Sequence, residues 1–354
     1  MSEKYDCLAL FSGGLDSILA CKVIQKQGLK VLGLHFVSPF FGKPDKCKEW
    51  EHSYKIDILP LDVSQAYLDM ILSGPSRGFG KALNPCIDCK IFMLRQAKQM
   101  LDRFQAKFII SGEVLGQRPM SQRRDTLNAI CNEAQVEDLL LRPLSAKNLA
   151  PTPVETNGLV NREGLLSLSG RGRKEQLQLA QEYNIEDIPT PAGGCLLTEP
   201  ETVKRYWPLI KYITKPQVTD FHLANIGRQY WSDSHWLIIG RDQEDNLKLN
   251  QLVQESDLVF KVTDHPGPLA IGRQINNTNW DAQTIRSAAS FMASFSPKAV
   301  KTKEKVKVSI RKKEETSEVE VLPDRETSPA WKEPTWESFK KEKLHWSAEK
   351  SRKT

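Results

Sequence analysis

Ser12-Gly13-Gly14-Leu15-Asp16-Ser17 stands between a short apolar run, Cys7 to Phe11, and a stretch of helical pattern, Ile18 to Gln27, that Gly28 stops. A second apolar run follows at Lys30 to Val37. Strand, helix, strand is a βαβ unit, whose strands are parallel and joined by a right-handed crossover. The loop therefore leaves the carboxyl end of the first strand, where open α/β sheets bind ligands.

The loop's composition indicates an anionic ligand. Gly13 and Gly14 lack a Cβ, so the backbone can bend tightly and approach an anion closely. Their N–H groups, with those opening the helix, make a positive concavity for phosphate, and Ser12 and Ser17 add hydroxyls. Asp16 is a carboxylate beside phosphates, which is unfavourable unless a cation lies between them; Mg²⁺ suits carboxylate and phosphate oxygens. A serine-capped strand-to-helix turn would share these residues. No GxxxxGK(S/T) loop is present and no GxGxxG follows a strand. Transfer of a γ-phosphate of the P-loop kind is therefore not expected.

SGGLDS resembles the PP-loop of the ATP pyrophosphatase superfamily, whose members activate an oxygen by adenylating it. The resemblance implies ATP as substrate and attack on its α-phosphate. It does not choose among tRNA thiolases, lysidine synthase, NAD and GMP synthetases and argininosuccinate synthase.

The chain of 354 residues is long enough for two or three domains. Further strands are expected at Ile56–Leu61, Lys107–Ile110 and Leu139–Leu141. Helices are expected at Ala66–Leu72, Ile87–Phe104, Arg124–Gln135 and Lys174–Tyr183, with a loop from Phe40 to Trp50. After Thr198 the pattern changes to short strands among turns, at Trp236–Ile239, Leu258–Val262 and Leu269–Ile271. Of the net charge of +6, +5 falls on Ser296–Thr354. That Lys/Glu-rich segment is expected to be disordered. The fold class is α/β, a parallel sheet with helices on both faces, followed by a smaller α+β domain. The expected divisions are 1–205, 206–295 and a tail, 296–354. No stretch approaches the ~18 apolar residues of a membrane helix, and the N-terminus lacks a signal peptide's apolar region, so the chain is expected to be cytoplasmic.

Seven cysteines in a reducing compartment point to metal binding or catalysis rather than disulfides. Cys86 and Cys89 sit in NPCIDCK at the start of the long helix, where the helix dipole is expected to lower a thiol pKa. Cys195 lies far downstream in PAGGCLLT, where Gly193 and Gly194 let the backbone approach another group. A structural zinc half-site remains an alternative for the pair. Cys7 and Cys21 read as core residues; Cys47 and Cys131 have no assigned role.

NPCIDCK is similar to the NPxxC segment of tRNA 2-thiouridylases, and Cys195 falls where those enzymes keep a second cysteine. The three-cysteine arrangement also resembles PP-loop thiolases that hold a [4Fe–4S] cluster, while Lys4 to Glu199 resembles the ATP-binding domain of tRNA 4-thiouridine synthases. The resemblance implies Cys86, Cys89 and Cys195 as sulfur-handling and metal-ligating residues, with Asp16 at the ATP. It implies tRNA as partner and a cysteine desulfurase or other sulfur donor. Gly112 and Arg118, in SGEVLGQR after a strand end, should border the same pocket. His35 is either near adenine or a satisfied core histidine. Arg118, Arg142, Arg171 and Arg173 are either phosphate ligands or loop charges.

Gly240-Arg241, Asn246, Asp257-to-Phe260 and Pro266-Gly267 resemble the RNA-binding domain of NFACT proteins over Thr214 to Ile285. That resemblance puts Arg228, Arg241 and Arg273 forward for RNA contact. Lys298 to Lys313 is a basic run suited to phosphates. Trp331, Trp336 and Trp346 can stack on bases or dock a partner.

The expected activity is ATP-dependent thiolation of RNA, with a uridine or cytidine carbonyl adenylated and its oxygen replaced by sulfur from a cluster or a persulfide. Two alternatives stand: an ATP pyrophosphatase making an amide on a small metabolite, and a non-catalytic RNA-binding factor with a nucleotide fold.

Overall fold

The structure is a computed structural model describing residues 4–189 and 194–351, with backbone alone from 345 onward. The chain divides into two compact units, Met1–Thr198 and Glu199–Thr354.

The first unit runs β1 (Cys7–Leu10), α1 (Leu15–Gln25), β2 (Val31–Val37), α2 (Cys47–Tyr54), β3 (Asp57–Asp62), α3 (Ser64–Ser73), α4 (Cys86–Phe104), β4 (Phe108–Ser111), α5 (Arg124–Ala134) and β5 (Leu140–Leu141). It closes with α6 (Pro153–Thr156) and α7 (Lys174–Glu182). The sheet order is β3-β2-β1-β4-β5, with every pairing parallel. From β1 the chain steps outward to β2 and β3, then crosses to the other side of β1 for β4. The order thus reverses between β1 and β4, and ligands of open α/β sheets bind in the crevice beyond such a reversal. Leu15, Ile18, Leu19, Val23 and Ile24 of α1 share one core with Ala9, Val31, Ala180 and Ile185.

The expected loop at Phe40–Trp50 is partly helical. A 3₁₀ turn at Pro44–Lys46 leads into α2. Cys47, Trp50 and Tyr54 recur at helical spacing and pack on the core of the first unit, which stabilises a helix that its polar composition conceals.

The second unit runs α8 (Pro200–Tyr212), α9 (Val218–Ala224), β6 (Arg228–Ser232), β7 (His235–Ile239), α10 (Gln243–Gln251), β8 (Leu258–Val262), β9 (Leu269–Arg273), α11 (Ala282–Ala293), α12 (Pro297–Thr302), β10 (Val306–Lys312), β11 (Glu315–Val321) and α13 (Trp336–Ser351). Its six strands, β11-β10-β8-β9-β7-β6, are antiparallel throughout. The boundary falls before Pro200 rather than at 205/206, because α8 packs within this unit: Tyr206 meets Phe221 at 5.4 Å and Trp207 meets Phe339 at 5.4 Å.

The expectation of a disordered tail at 296–354 is overturned. Val306, Val308 and Ile310 alternate with Lys307, Ser309 and Arg311, and the three apolar side chains join the core under α11. Trp331 is buried and stacks on Trp280 at 5.8 Å. Among the described residues, no helix is long and apolar enough to cross a membrane.

Val308 is fully buried on β10, opposite Val262 of β8. Val308→Asp is therefore expected to destabilise the second unit by at least ~3 kcal/mol, since a carboxylate would replace a core methyl pair. The urea midpoint measures this, and an unchanged midpoint would restore the disordered-tail reading.

Candidate active site

Gly13 takes φ +76°, and a Cβ there would lie 2.5 Å from the Trp50 indole. Only glycine allows both the left-handed backbone and the approach of that ring. The Ser17 hydroxyl donates to the Gly14 carbonyl at 2.7 Å, and the Gly14 N–H donates to the Ser12 hydroxyl at 3.3 Å. The two serines therefore brace the loop; Ser17 is buried and Ser12 remains exposed. Gly112, following β4, presses on the first turn of α1: a Cβ there would lie 2.4 Å from the Asp16 carbonyl oxygen. The loops after β1 and β4 thus touch at the reversal of strand order.

Asp16 sits at that contact. One of its carboxylate oxygens, Oδ1, is buried with no hydrogen-bond partner among the described residues. Desolvation pushes its pKa up, opposed by a hydrogen bond from Gln117 and by the charges of Arg173 and Arg118. A desolvated carboxylate with an unused oxygen favours a cation there. The site suits Mg²⁺, which needs only one or two carboxylates when phosphates supply the rest. The charges of Arg118 and Arg173 both reach Asp16.

His35 is buried. Its Nε2 accepts from the Lys43 N–H at 2.8 Å, and Nδ1 lies 3.0 Å from the Phe11 carbonyl. Both ring nitrogens serve the backbone, as the core-histidine alternative requires. Arg142 is likewise buried: it donates to Glu113 at 3.0 Å, to the Leu127 carbonyl and to the Cys131 sulfur. It holds the end of β4 rather than offering a phosphate ligand.

Glu113 connects the glycine contact to the cysteines. It adjoins Gly112, and its Oε1 lies 3.8 Å from Lys90 Nζ. Lys90 adjoins Cys89 in the first turns of α4. Burial would raise the Glu113 pKa, but Lys90 and Arg142 hold it below the usual range. Asp88, within the cysteine pair, accepts from the Ser76 and Arg77 N–H groups and fixes the loop before α4. The Cys195 segment is tied to the same end of α4: Leu196 N–H donates to the Phe40 carbonyl at 2.8 Å and Leu83 N–H to the Leu197 carbonyl at 3.2 Å. Thr190–Gly193 lie outside the described residues, including the Gly193 invoked above.

Tyr67 of α3 lies where these segments meet. Its ring is fully buried and packs against Phe40, Phe41 and Phe92 at 5.8, 4.7 and 5.6 Å. Its hydroxyl has no nitrogen or oxygen partner among the described residues. Cys89 is within hydrogen-bonding reach, and Cys195 and Cys86 are near enough to act on its charge. Desolvation and these thiols push the Tyr67 pKa up. Among the described residues, no three His, Cys, Asp or Glu side chains are placed to hold a metal ion.

The expected lowering of the thiol pKa at the helix start is reversed for Cys89. Cys89 is half-buried as a residue, yet desolvation of its thiol raises the pKa to about 11, outweighing the Tyr67 hydrogen bond and the Lys90 charge. Tyr67 falls in an expected helix and Trp50 at the end of an expected loop, and neither carries a sequence signal for these contacts.

In the second unit, Arg273 is 1% exposed and ion-paired with Asp220 at 2.8 Å and Asp257 at 2.9 Å. It is a core residue and is withdrawn as an RNA contact. Arg241 is exposed and paired with Asp245 at 2.7 Å. Arg228 lies over the Phe295 ring at 5.2 Å, with Arg325 over the same ring at 3.6 Å. The Gly240–Asn246 pattern is structural: Asn246 packs on Gly240 and accepts from the Leu269 N–H at 3.0 Å. Trp331 is in the core, and the Trp346 side chain lies outside the described residues.

The first unit is of the α/β class, a parallel sheet with the glycine loop at its reversal of strand order. More particularly, residues 3–148 match the family model described as thiamine biosynthesis protein (ThiI), and residues 227–332 match that described as NFACT protein RNA binding domain. The two resemblances carried by the motifs are thus both met. Curated relatives include probable tRNA sulfurtransferases of Thermococcus kodakarensis, 27% identical over 39% of this chain and 36% of that protein, and of Natranaerobius thermophilus, 29% identical over 38% and 34%. The match spans about a third of each relative's length. Partial structural likenesses include the U34-tRNA thiolase NcsA of Methanococcus maripaludis with its [4Fe–4S] cluster, at 15% identity and TM-score 0.30 over 54% of this chain and 62% of that one. They also include NMN synthetase of Francisella tularensis, at 13% identity and TM-score 0.26 over 54% and 90%. Scores this low do not distinguish thiolation from amide synthesis.

Because thiolate forms only as pH approaches about 11, alkylation of Cys89 is expected to climb about tenfold per pH unit from about pH 7 to pH 10. Peptide mass spectrometry after timed iodoacetamide treatment reads this. A plateau near pH 8.5 would contradict the buried-thiol account.

Proposed function

We propose that the chain is an ATP-dependent RNA sulfurtransferase acting on tRNA. One observation carries the reading: the run Cys89–Lys90···Glu113–Gly112···Asp16 joins the thiols to the glycine loop through a 3.8 Å ion pair and a close backbone contact. An ATP-dependent amide ligase would not need that link. The curated relatives named as tRNA sulfurtransferases and the NFACT-type domain support RNA as the substrate.

ATP would lie over Gly13 and Gly14, with its phosphates against the loop and the N-terminus of α1. Mg²⁺, held by Asp16, would neutralise phosphate charge. Arg118 and Arg173 would add positive charge on the open side. A uridine or cytidine carbonyl oxygen attacks the α-phosphorus, the bond to the bridging oxygen breaks, and pyrophosphate leaves. The adenylated ring carbon is then open to sulfur. A terminal persulfide sulfur on one cysteine forms the C–S bond as AMP departs with the former carbonyl oxygen. A second cysteine attacks the first cysteine's sulfur, releases the thiolated base and leaves a disulfide between the two cysteines, which a dithiol reductant resets. Two thiols suffice for this cycle. A cluster on Cys86, Cys89 and Cys195 would require them to close on one centre, and no step is derived through it.

Asp16→Ala is expected to lower AMP formation at least ~100-fold while the full chain still binds tRNA. Cys89→Ser and Cys195→Ser are expected to keep tRNA-dependent pyrophosphate release and lose both AMP release and thiolated nucleoside, the latter read by chromatography of digested tRNA. Pyrophosphate release that ignores tRNA, or normal thiolation in both cysteine variants, would contradict the proposal.

A further inference from the structure

The Tyr67 hydroxyl is a polar group with no evident use in the fold. Phenylalanine would fill the same space among Phe40, Phe41 and Phe92. A buried hydroxyl without an oxygen or nitrogen partner is destabilising by roughly 1–3 kcal/mol. A hydroxyl donates one hydrogen bond and turns toward whichever acceptor is present. Around this one lie Cys89, Cys195 and Cys86, from two distant parts of the chain. A neutral thiol is a weak acceptor; an anionic sulfur is a far better one.

Given the proposed sulfurtransferase reading, we propose that the Tyr67 hydroxyl and the three thiols form a binding site for one anionic sulfur atom, the terminal sulfur of a cysteine persulfide, with Tyr67 as its hydrogen-bond donor. The persulfide arises by exchange: a cysteine sulfur attacks the outer sulfur of a sulfane-sulfur donor, the donor's S–S bond breaks, and the shortened donor leaves as a thiol or hydrosulfide. No net oxidant is required. The phenol then holds the terminal sulfur inside the aromatic pocket, away from water and stray thiols. When the adenylated base arrives, that sulfur forms the C–S bond and the Tyr67 hydrogen bond is released. Tyr67 keeps its own proton throughout, so its role is to retain and orient the sulfur rather than to act as an acid.

The site also accounts for the placing of Cys86. Its sulfur accepts from Asn84 Nδ2 at 3.2 Å, which fixes its orientation at the mouth of α4. Cys86 and Cys195 are both half-buried, so either can meet an outside donor while Tyr67 remains enclosed.

The test uses the full chain, reduced and then treated with sodium polysulfide as the sulfane-sulfur probe. Persulfide on Cys86, Cys89 and Cys195 is followed by mass spectrometry after the probe is removed. Tyr67→Phe is expected to shorten the persulfide lifetime about tenfold, the loss of one hydrogen bond to a charged group. Thiolated nucleoside formed per pyrophosphate released should fall by a similar factor, while tRNA-dependent pyrophosphate release stays at the wild-type value and the melting temperature does not fall. Tyr67→Leu, which also removes ring packing, separates a structural effect by lowering the melting temperature. Equal persulfide lifetimes in wild type and Tyr67→Phe would overturn the proposal. A wild-type chain that retains persulfide in a Tyr67-dependent way but makes no thiolated RNA would overturn the sulfurtransferase reading and leave this sulfur site standing.

Discussion

The first unit depends on one contact, that of Gly112 with the backbone of Asp16. Any side chain at Gly112 would collide with the first turn of α1. Because none is there, the loops after β1 and β4 close on each other where the strand order reverses. The contact fixes the Asp16 carboxylate at the crevice, desolvated and with one oxygen unused. The position is unfavourable for the protein alone, and a cation with phosphates, as proposed, would relieve it. Trp50 supports the loop from the other side by packing under Gly13, so two glycines with different neighbours hold one anion site in shape.

A second physical theme is the cost of burying sulfur. The dipole of α4 favours thiolate at its start, yet Cys89 is raised to about 11 because desolvation is the larger effect. In the resting protein it is therefore a protected thiol. The aromatic cage of Phe40, Phe41 and Phe92 around Tyr67 creates that low-polarity setting. Lys90 and Glu113 form the electrostatic link back to the nucleotide loop.

Much of the first unit was legible because its signals are local. Gly-Gly-x-Asp after an apolar run and the strict amphipathic spacing of Ile87–Phe104 each specify their own structure. Tyr67, Trp50 and the Lys90–Glu113 pair were not legible, since their roles arise from segments brought together by the sheet order. Arg273 illustrates the opposite error: an arginine in a domain that resembles an RNA-binding one reads as an RNA ligand, but two distant aspartates, Asp220 and Asp257, hold it in the core. The strand Val306–Lys312 was hidden by averaging. Its period-two alternation is plain residue by residue, but the surrounding Lys and Glu dominate any window of composition.

The central claim is that a base carbonyl oxygen attacks the α-phosphorus held at the Gly13–Asp16 loop. The most direct measurement follows that oxygen. With tRNA carrying ¹⁸O in its pyrimidine carbonyls, the account predicts that the AMP released contains one ¹⁸O for each thiolated nucleoside formed. AMP whose new oxygen comes from water, or thiolated tRNA formed with ADP as the product, would contradict it.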